Sequence, residues 1–267
     1  MMAEAAPRIQ VQGHRGARAV RPENTLAAFE YAIEAGADVL ELDLAVTRDN
    51  VLVVAHDPVM NADLCSGPEG TRVIREMTLA ELRRWDCGSK RAPGFPRQRP
   101  VPGARVPTFD EVLALAGRGG FSYNIEAKIS PDTPQYTPPP GEFARLVAEA
   151  VRRHKLERRV SFQSFDFRIL KAMKKIAPEL PLAALWSSDP RDFAAVAREA
   201  GAQIAAPQYN LVTPEKVRAA HQAGLTVTPW TANEPAVWDL LIAAGADAII
   251  TDDPAALIAH LKARGLR

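Results

Sequence analysis

Hydrophobic runs along the chain repeat one plan. In "EAGADVLELD" from Glu34, "EAGAQIAAPQ" from Glu199, "QAGLTVTPWT" from Gln222 and "AAGADAIITD" from Ala243, a helical stretch stops at a glycine and an apolar strand starts within a few residues. Proline follows a capping residue in "RPENTLAAF", "SDPRDFAAV", "VTPEKVRAA" and "DDPAALIAH", which predicts helices starting at those prolines, where a missing N–H costs nothing. Strands and helices therefore alternate through most of the chain.

Strands are predicted at 8–13, 38–44, 51–55, 122–127, 160–162, 182–186, 203–206, 225–229 and 248–251. Only "RDN" joins the second to the third, whereas a parallel crossover needs about a dozen residues or more, so 51–55 must fold back as a hairpin arm. The eight strands left over predict a TIM (β/α)8 barrel, an α/β fold that typically takes about 250 residues. A doubly wound open sheet is the alternative, weakened because no glycine-rich dinucleotide or nucleotide-phosphate loop follows any strand.

The expected organisation is a single barrel domain over 1–267. Residues 58–107, rich in Pro, Gly and Arg around one short helix at "TLAELRRWD", form an expected insertion over the barrel mouth. A second long loop, "SPDTPQYTPPPG", is expected to be stiff and extended.

Composition narrows the function. The 33 basic and 32 acidic residues leave a net charge of +1, so no global field recruits nucleic acid or an anionic membrane. The start, "MMAEAAPRIQ", lacks a leader pattern, and no run of about eighteen apolar residues occurs. A cytoplasmic protein without stable membrane association is expected, or a periplasmic or secreted one if a leader has been removed. A homo-oligomer is compatible with the sequence. Cys65 and Cys87 have neither a metal-ligand spacing nor a disulfide-dense context, so two free structural thiols are expected.

Barrel enzymes carry their chemistry at the C-terminal ends of the strands. There the first strand delivers His14 and Arg15, and the second puts Glu41 and Asp43 on one face by strand alternation. The hairpin carries His56 back beside those carboxylates. Asn124, Glu126 and Lys128 share a face of the next strand. Three converging acids repel and raise one another's pKa unless a cation intervenes, and oxygen ligands suit one divalent ion, Mg2+ or Ca2+. Taken singly these residues read as solvated strand ends, a core histidine and an exposed ion pair; their convergence carries the functional reading. His154, His221 and His260 fall on helical stretches and read as surface or structural.

The segments "GHRGARAVRPENT", "ELDLAVTRDNVLVVAHD", "VPTFDEVL", "NIEAK", "SF" at Ser164, "WTAN" from Trp230 and "GADAIITDDP" together resemble the glycerophosphodiester phosphodiesterase family. The resemblance implies a TIM barrel that hydrolyses glycerophosphodiesters to sn-glycerol 3-phosphate and an alcohol with a divalent metal. It implies Glu41, Asp43 and Glu126 as metal ligands, His14 and His56 as the acid-base pair, and Arg15 and Lys128 as phosphate contacts. Trp230, at a strand end, is expected against the glycerol carbons. Asp252 is expected to face the mouth, and Asp253 to cap the last helix. The stretch "PVMNADLCSGPEGT" departs from the family pattern and leaves the alcohol open. A lysophospholipase D or other phospholipase of the same fold, and a non-catalytic phosphodiester-binding barrel, are the alternatives. The insertion, which holds Trp85, Phe95 and Leu64 but is otherwise charged and Pro-rich, favours a water-soluble diester.

Overall fold

The computed structural model describes residues 8–267; residues 1–7, on which the leader reading rests, lie outside the described residues. The first half of the chain forms β1 (Gln10–Gly13), α1 (Leu26–Ala35), β2 (Val39–Val46), β3 (Leu52–Val54), α2 (Leu79–Leu82), α3 (Phe109–Leu113), β4 (Ser122–Ala127) and α4 (Pro140–Arg153). Then follow β5 (Val160–Ser164), α5 (Phe167–Ile176), β6 (Leu182–Trp186), α6 (Phe193–Ala200), β7 (Ile204–Pro207) and α7 (Pro214–Gln222). The chain ends with β8 (Thr226–Val227), α8 (Pro235–Ala244), β9 (Ala248–Thr251) and α9 (Pro254–Ala263).

Parallel ladders run in the order β8-β7-β6-β5-β4-β2-β1-β9, and β3 pairs antiparallel to β2 off that path. The seam between β8 and β9 carries single hydrogen bonds, Asp247 N–H to Val227 O at 3.0 Å and Ile250 N–H to Pro229 O at 3.0 Å. Pro229 has no N–H to donate, which explains why β8 stops at Val227, short of the predicted 229. The result is the TIM barrel, with the hairpin arm where the "RDN" turn places it.

The β-strand side chains that point outward pack under the helices. Leu40, Leu42 and Leu44 of β2, Tyr123 and Ile125 of β4 and Phe162 of β5 join Phe29, Phe143, Val147 and Ile169 in the main core. Burying one such side chain contributes about 1.5–3 kcal/mol. At the first strand-to-helix turn Gly16 adopts φ +83°, and a Cβ there would lie 2.6 Å from the Ala28 carbonyl carbon. Only glycine lets this turn press onto α1.

Two helix starts differ from expectation. Helix α1 begins at Leu26 under a Thr25 cap, not at Pro22, because Asn24 turns to φ 55° and sends its side chain into the barrel mouth. Helix α6 begins at Phe193, because the Asp192 carboxylate accepts the Ala195 N–H and outcompetes a start at Pro190. Pro214 and Pro254 do open α7 and α9, the latter under an Asp253 cap.

The free-thiol expectation is overturned: Cys65 and Cys87 form a disulfide. Ser66 and Asp86 exchange backbone hydrogen bonds of 2.7 and 2.8 Å, so a non-local bridge sets the two cysteines side by side. With Met60, Ile74, Met77, Leu82 and Trp85 they form a small core of their own against Ala45 and Val53 of the hairpin.

Candidate active site

Register builds the mouth. Asp43 of β2 pairs with Glu126 of β4, and Glu126 with Gln163 of β5, so three polar side chains share one rung. On the other side Asp43 O accepts the Ala55 N–H at 3.0 Å, which fixes where His56 emerges.

Glu41, Asp43 and Glu126 converge until an oxygen from each lies within 4.8 Å of the others, and all three are buried. Burial, then repulsion from Asp43 and Glu126, pushes Glu41 well above the usual carboxylate range. Burial likewise raises Glu126, against the opposing pull of Lys128. Burial alone would raise Asp43 too, but Arg15, His56 and Lys128 outweigh it and hold Asp43 low. Asp43 Oδ1 is buried with no hydrogen-bond partner, and the nearest ammonium, Lys128 Nζ, is 3.9 Å away. An orphaned carboxylate oxygen inside a buried acid triad fits a hard divalent cation, so these residues can hold one.

The rest of the cluster is held by specific bonds. Glu41 receives the Arg15 N–H on Oε2 and the Gln163 amide on Oε1, both at 2.9 Å. Gln163 Oε1 accepts from Asn124, whose amide also reaches Gln12 Oε1, so a chain of amides runs through the barrel interior to the triad. Asn24 donates to Asp43 Oδ2 at 2.9 Å. Arg15, at φ 49°, aims its guanidinium between Glu23 Oε1 at 2.7 Å and Asp43 Oδ2 at 3.4 Å. Glu23 also pairs with Arg18, so one buried carboxylate anchors two arginines.

Lys128 Nζ donates to Glu126 at 2.8 Å and to His56 Nε2 at 3.0 Å. His56 Nδ1 faces Asp57 at 2.7 Å, a bond that lowers the Asp57 pKa. His14 Nδ1 lies 2.5 Å from Asp252 Oδ1, and Asp252 Oδ2 accepts the Asn233 amide at 2.7 Å. Burial lowers the His14 pKa even against the pull of the Asp252 carboxylate.

A cavity of about 250 Å³ opens on this cluster, lined by His14, Arg15, His56, Lys128, Phe165 and Trp230 among others. His14, Arg15, Glu41, Asp43, His56, Glu126, Lys128 and Trp230 thus meet at one end of the barrel. Trp230 lines the wall, edge-on to Phe165 with ring centroids 5.3 Å apart. His154, His221 and His260 stand elsewhere, each paired with an aspartate on the barrel's exterior. Sequence reasoning missed Arg18, Glu23, Asn24, Gln163 and Asn233. Asn24 and Glu23 sit inside "RPENT", where Asn, a residue that tolerates left-handed backbone, was the available signal.

Fold, site and comparison with known proteins define a (β/α)8-barrel hydrolase. The model of the glycerophosphoryl diester phosphodiesterase family matches residues 14–256, and this chain belongs to that family. A glycerophosphodiester phosphodiesterase from Caldanaerobacter subterraneus subsp. tengcongensis is 36% identical over 248 residues, 93% of this chain and 96% of that one. A crystal structure from Silicibacter pomeroyi superposes with a TM-score of 0.91 at 33% identity, covering 97% of this chain and 95% of the other. An Oleispira antarctica phosphodiesterase in complex with the product sn-glycerol-3-phosphate shares the fold, with a TM-score of 0.80 at 23% identity over 96% of this chain and 97% of that one.

Proposed function

We propose that this protein hydrolyses water-soluble glycerophosphodiesters to sn-glycerol 3-phosphate and an alcohol, with one divalent cation, Mg2+ or Ca2+, held by Glu41, Asp43 and Glu126. The orphaned Asp43 oxygen within the buried triad carries this reading. The bound ion supplies positive charge to the phosphoryl oxygens as negative charge grows on them.

The chain's own groups do the rest. Arg15, clamped by Glu23 and Asp43, has guanidinium N–H donors left for a phosphate oxygen, and Lys128 offers its ammonium from the end of β4, on the other side of β2. Both donors are fixed before substrate arrives, so little reorganisation accompanies the reaction. His14 acts as base: Asp252 holds its Nδ1 proton and leaves Nε2 free to take one from the nucleophile, which is water or the substrate's own 2-hydroxyl. His56 acts as acid: its Nε2, which accepts from the Lys128 ammonium in the resting site, takes up a proton and delivers it to the leaving oxygen. Trp230 and Phe165 supply an apolar wall for the glycerol carbons.

Residues 58–107 shape the rim and turn Met60, Met77 and Trp85 inward. A lipid-acting enzyme presents apolar side chains at its mouth to meet a membrane surface. No helix among the described residues is long and apolar enough to cross a membrane.

The test is product analysis. Release of sn-glycerol 3-phosphate from a panel of diesters is expected with Mg2+ or Ca2+ and is abolished by EDTA. Glu41→Ala and Asp43→Ala are expected to lose activity that excess metal does not fully restore. Undiminished turnover in EDTA overturns the metal assignment.

A further inference from the structure

A second cavity, of about 210 Å³, meets the first at Glu126, Lys128 and Phe165. Pro58, Ile129, Ser130, Thr133, Thr137 and Ser164 line its remaining walls. Phe165, 44% exposed, stands between the two spaces. Pro58 lies two residues beyond His56, and Lys128 bonds His56 directly, so this cavity lies on the His56 side of the phosphate donors.

Resting on the phosphodiesterase reading above, we propose that this cavity is the leaving-alcohol subsite and that it selects an uncharged, hydroxyl-bearing alcohol over a cationic one. Position is the first reason. If the glycerol carbons rest on Trp230, the other substituent on phosphorus extends past Phe165 and Lys128 into the second cavity, where His56 can protonate its oxygen.

Polar inventory is the second reason. Ser164 Oγ is committed as donor to Ala127 O and as acceptor from the Asp166 N–H, whereas Ser130 Oγ accepts the Asp132 N–H and keeps only its proton to offer. The Thr133 and Thr137 hydroxyls have no hydrogen-bond partner among the described residues, which leaves each able to donate to and accept from a ligand hydroxyl. Charge is the third. Glu126 is the sole carboxylate lining this space, and Lys128 already occupies it at 2.8 Å. A trimethylammonium or primary ammonium group would meet the Lys128 ammonium with no free acid to offset the repulsion, and the sole aromatic wall is Phe165.

The deciding experiment measures kcat/KM for glycerophosphoglycerol, glycerophosphocholine and glycerophosphoethanolamine with wild-type protein and with Thr133→Val, Thr133→Asp and Thr137→Val. Wild type is expected to prefer glycerophosphoglycerol by roughly tenfold or more. Each valine variant should lower the glycerol-to-choline ratio by about two- to tenfold, the worth of one neutral hydrogen bond. Thr133→Asp should raise kcat/KM for glycerophosphocholine. Melting curves that match wild type identify variants that fold. Equal turnover of the three diesters, or valine variants that leave the ratio untouched, overturns the subsite and leaves the phosphodiesterase reading standing. No turnover of any diester overturns both.

Discussion

Replacing Asp252 with asparagine changes one atom in a buried chain of hydrogen bonds and reverses its polarity. Asn233 is locked, because its Oδ1 accepts both the Asp252 N–H at 2.8 Å and the Thr251 hydroxyl at 3.2 Å, which leaves its amide nitrogen facing Asp252. An asparagine at 252 must answer that donor with its own oxygen, and its NH2 then points at His14 Nδ1. His14 is driven to the tautomer protonated on Nε2, and a nitrogen that already carries a proton cannot act as base. The loss approaches the whole acid-base contribution, about 10²- to 10⁴-fold in kcat. Asp252→Ala, in contrast, removes a charged hydrogen bond without imposing a tautomer, and costs about 10- to 150-fold. Asp252 does not line the cavity, so KM should stay within about twofold in both variants. Steady-state release of sn-glycerol 3-phosphate, with melting curves to establish folding, measures all three quantities. The reasoning is refuted if the asparagine variant keeps a third or more of wild-type kcat, or if alanine is the worse substitution.

Two further outcomes concern the insertion. Reducing the Cys65–Cys87 disulfide, or replacing both cysteines with serine, should cost about 3 kcal/mol for a loop of this length and lower the melting temperature by roughly 6–12 °C, read by calorimetry with and without reductant. The Ser89 hydroxyl, then the N–H groups of Gly88, Gly103 and Ser89, pull Asp86 from its ordinary 3.8 down to about 2. Its stabilisation is therefore present above the ordinary value and lost as pH falls through about 2, because the unfolded loop binds a proton first. Protection from hydrogen exchange across 86–104, taken relative to the intrinsic rate at each pH, should fall over that interval in wild type, and Asp86→Asn should show reduced protection already at pH 7.

The sequence was most informative where local geometry alone fixes distance. Strand alternation put Glu41 beside Asp43 and Glu126 beside Lys128, and the length of the "RDN" turn decided that His56 returns to them. It was least informative where contact depends on two remote segments. The Cys65–Cys87 bond follows from a single antiparallel bridge between Ser66 and Asp86 that no periodicity announces. Asn233 reaches Asp252 only because the seam between β8 and β9 closes there, and Glu23 meets Arg15 across an irregular strand-to-helix loop that no periodicity describes. The displaced start of α1 has the same origin: the helix gives up a turn so that Asn24 can serve the mouth.

The amide chain from Gln12 through Asn124 and Gln163 to Glu41 makes the barrel's centre a poor target for hydrophobic redesign. Asn124 donates from both N–H bonds of its amide, one to Gln12 Oε1 and one to Gln163 Oε1, so replacing it with an apolar side chain of similar size strands both carbonyl oxygens together, and each orphaned group costs about 1–3 kcal/mol. With its carbonyl unanswered, Gln163 has no reason to keep its NH2 on Glu41. A barrel interior that close packing alone would fill with leucine and valine is instead a set of linked amides, with Asn124 donating in both directions. Its outermost member, Gln163, sets the angle of the Glu41 carboxylate.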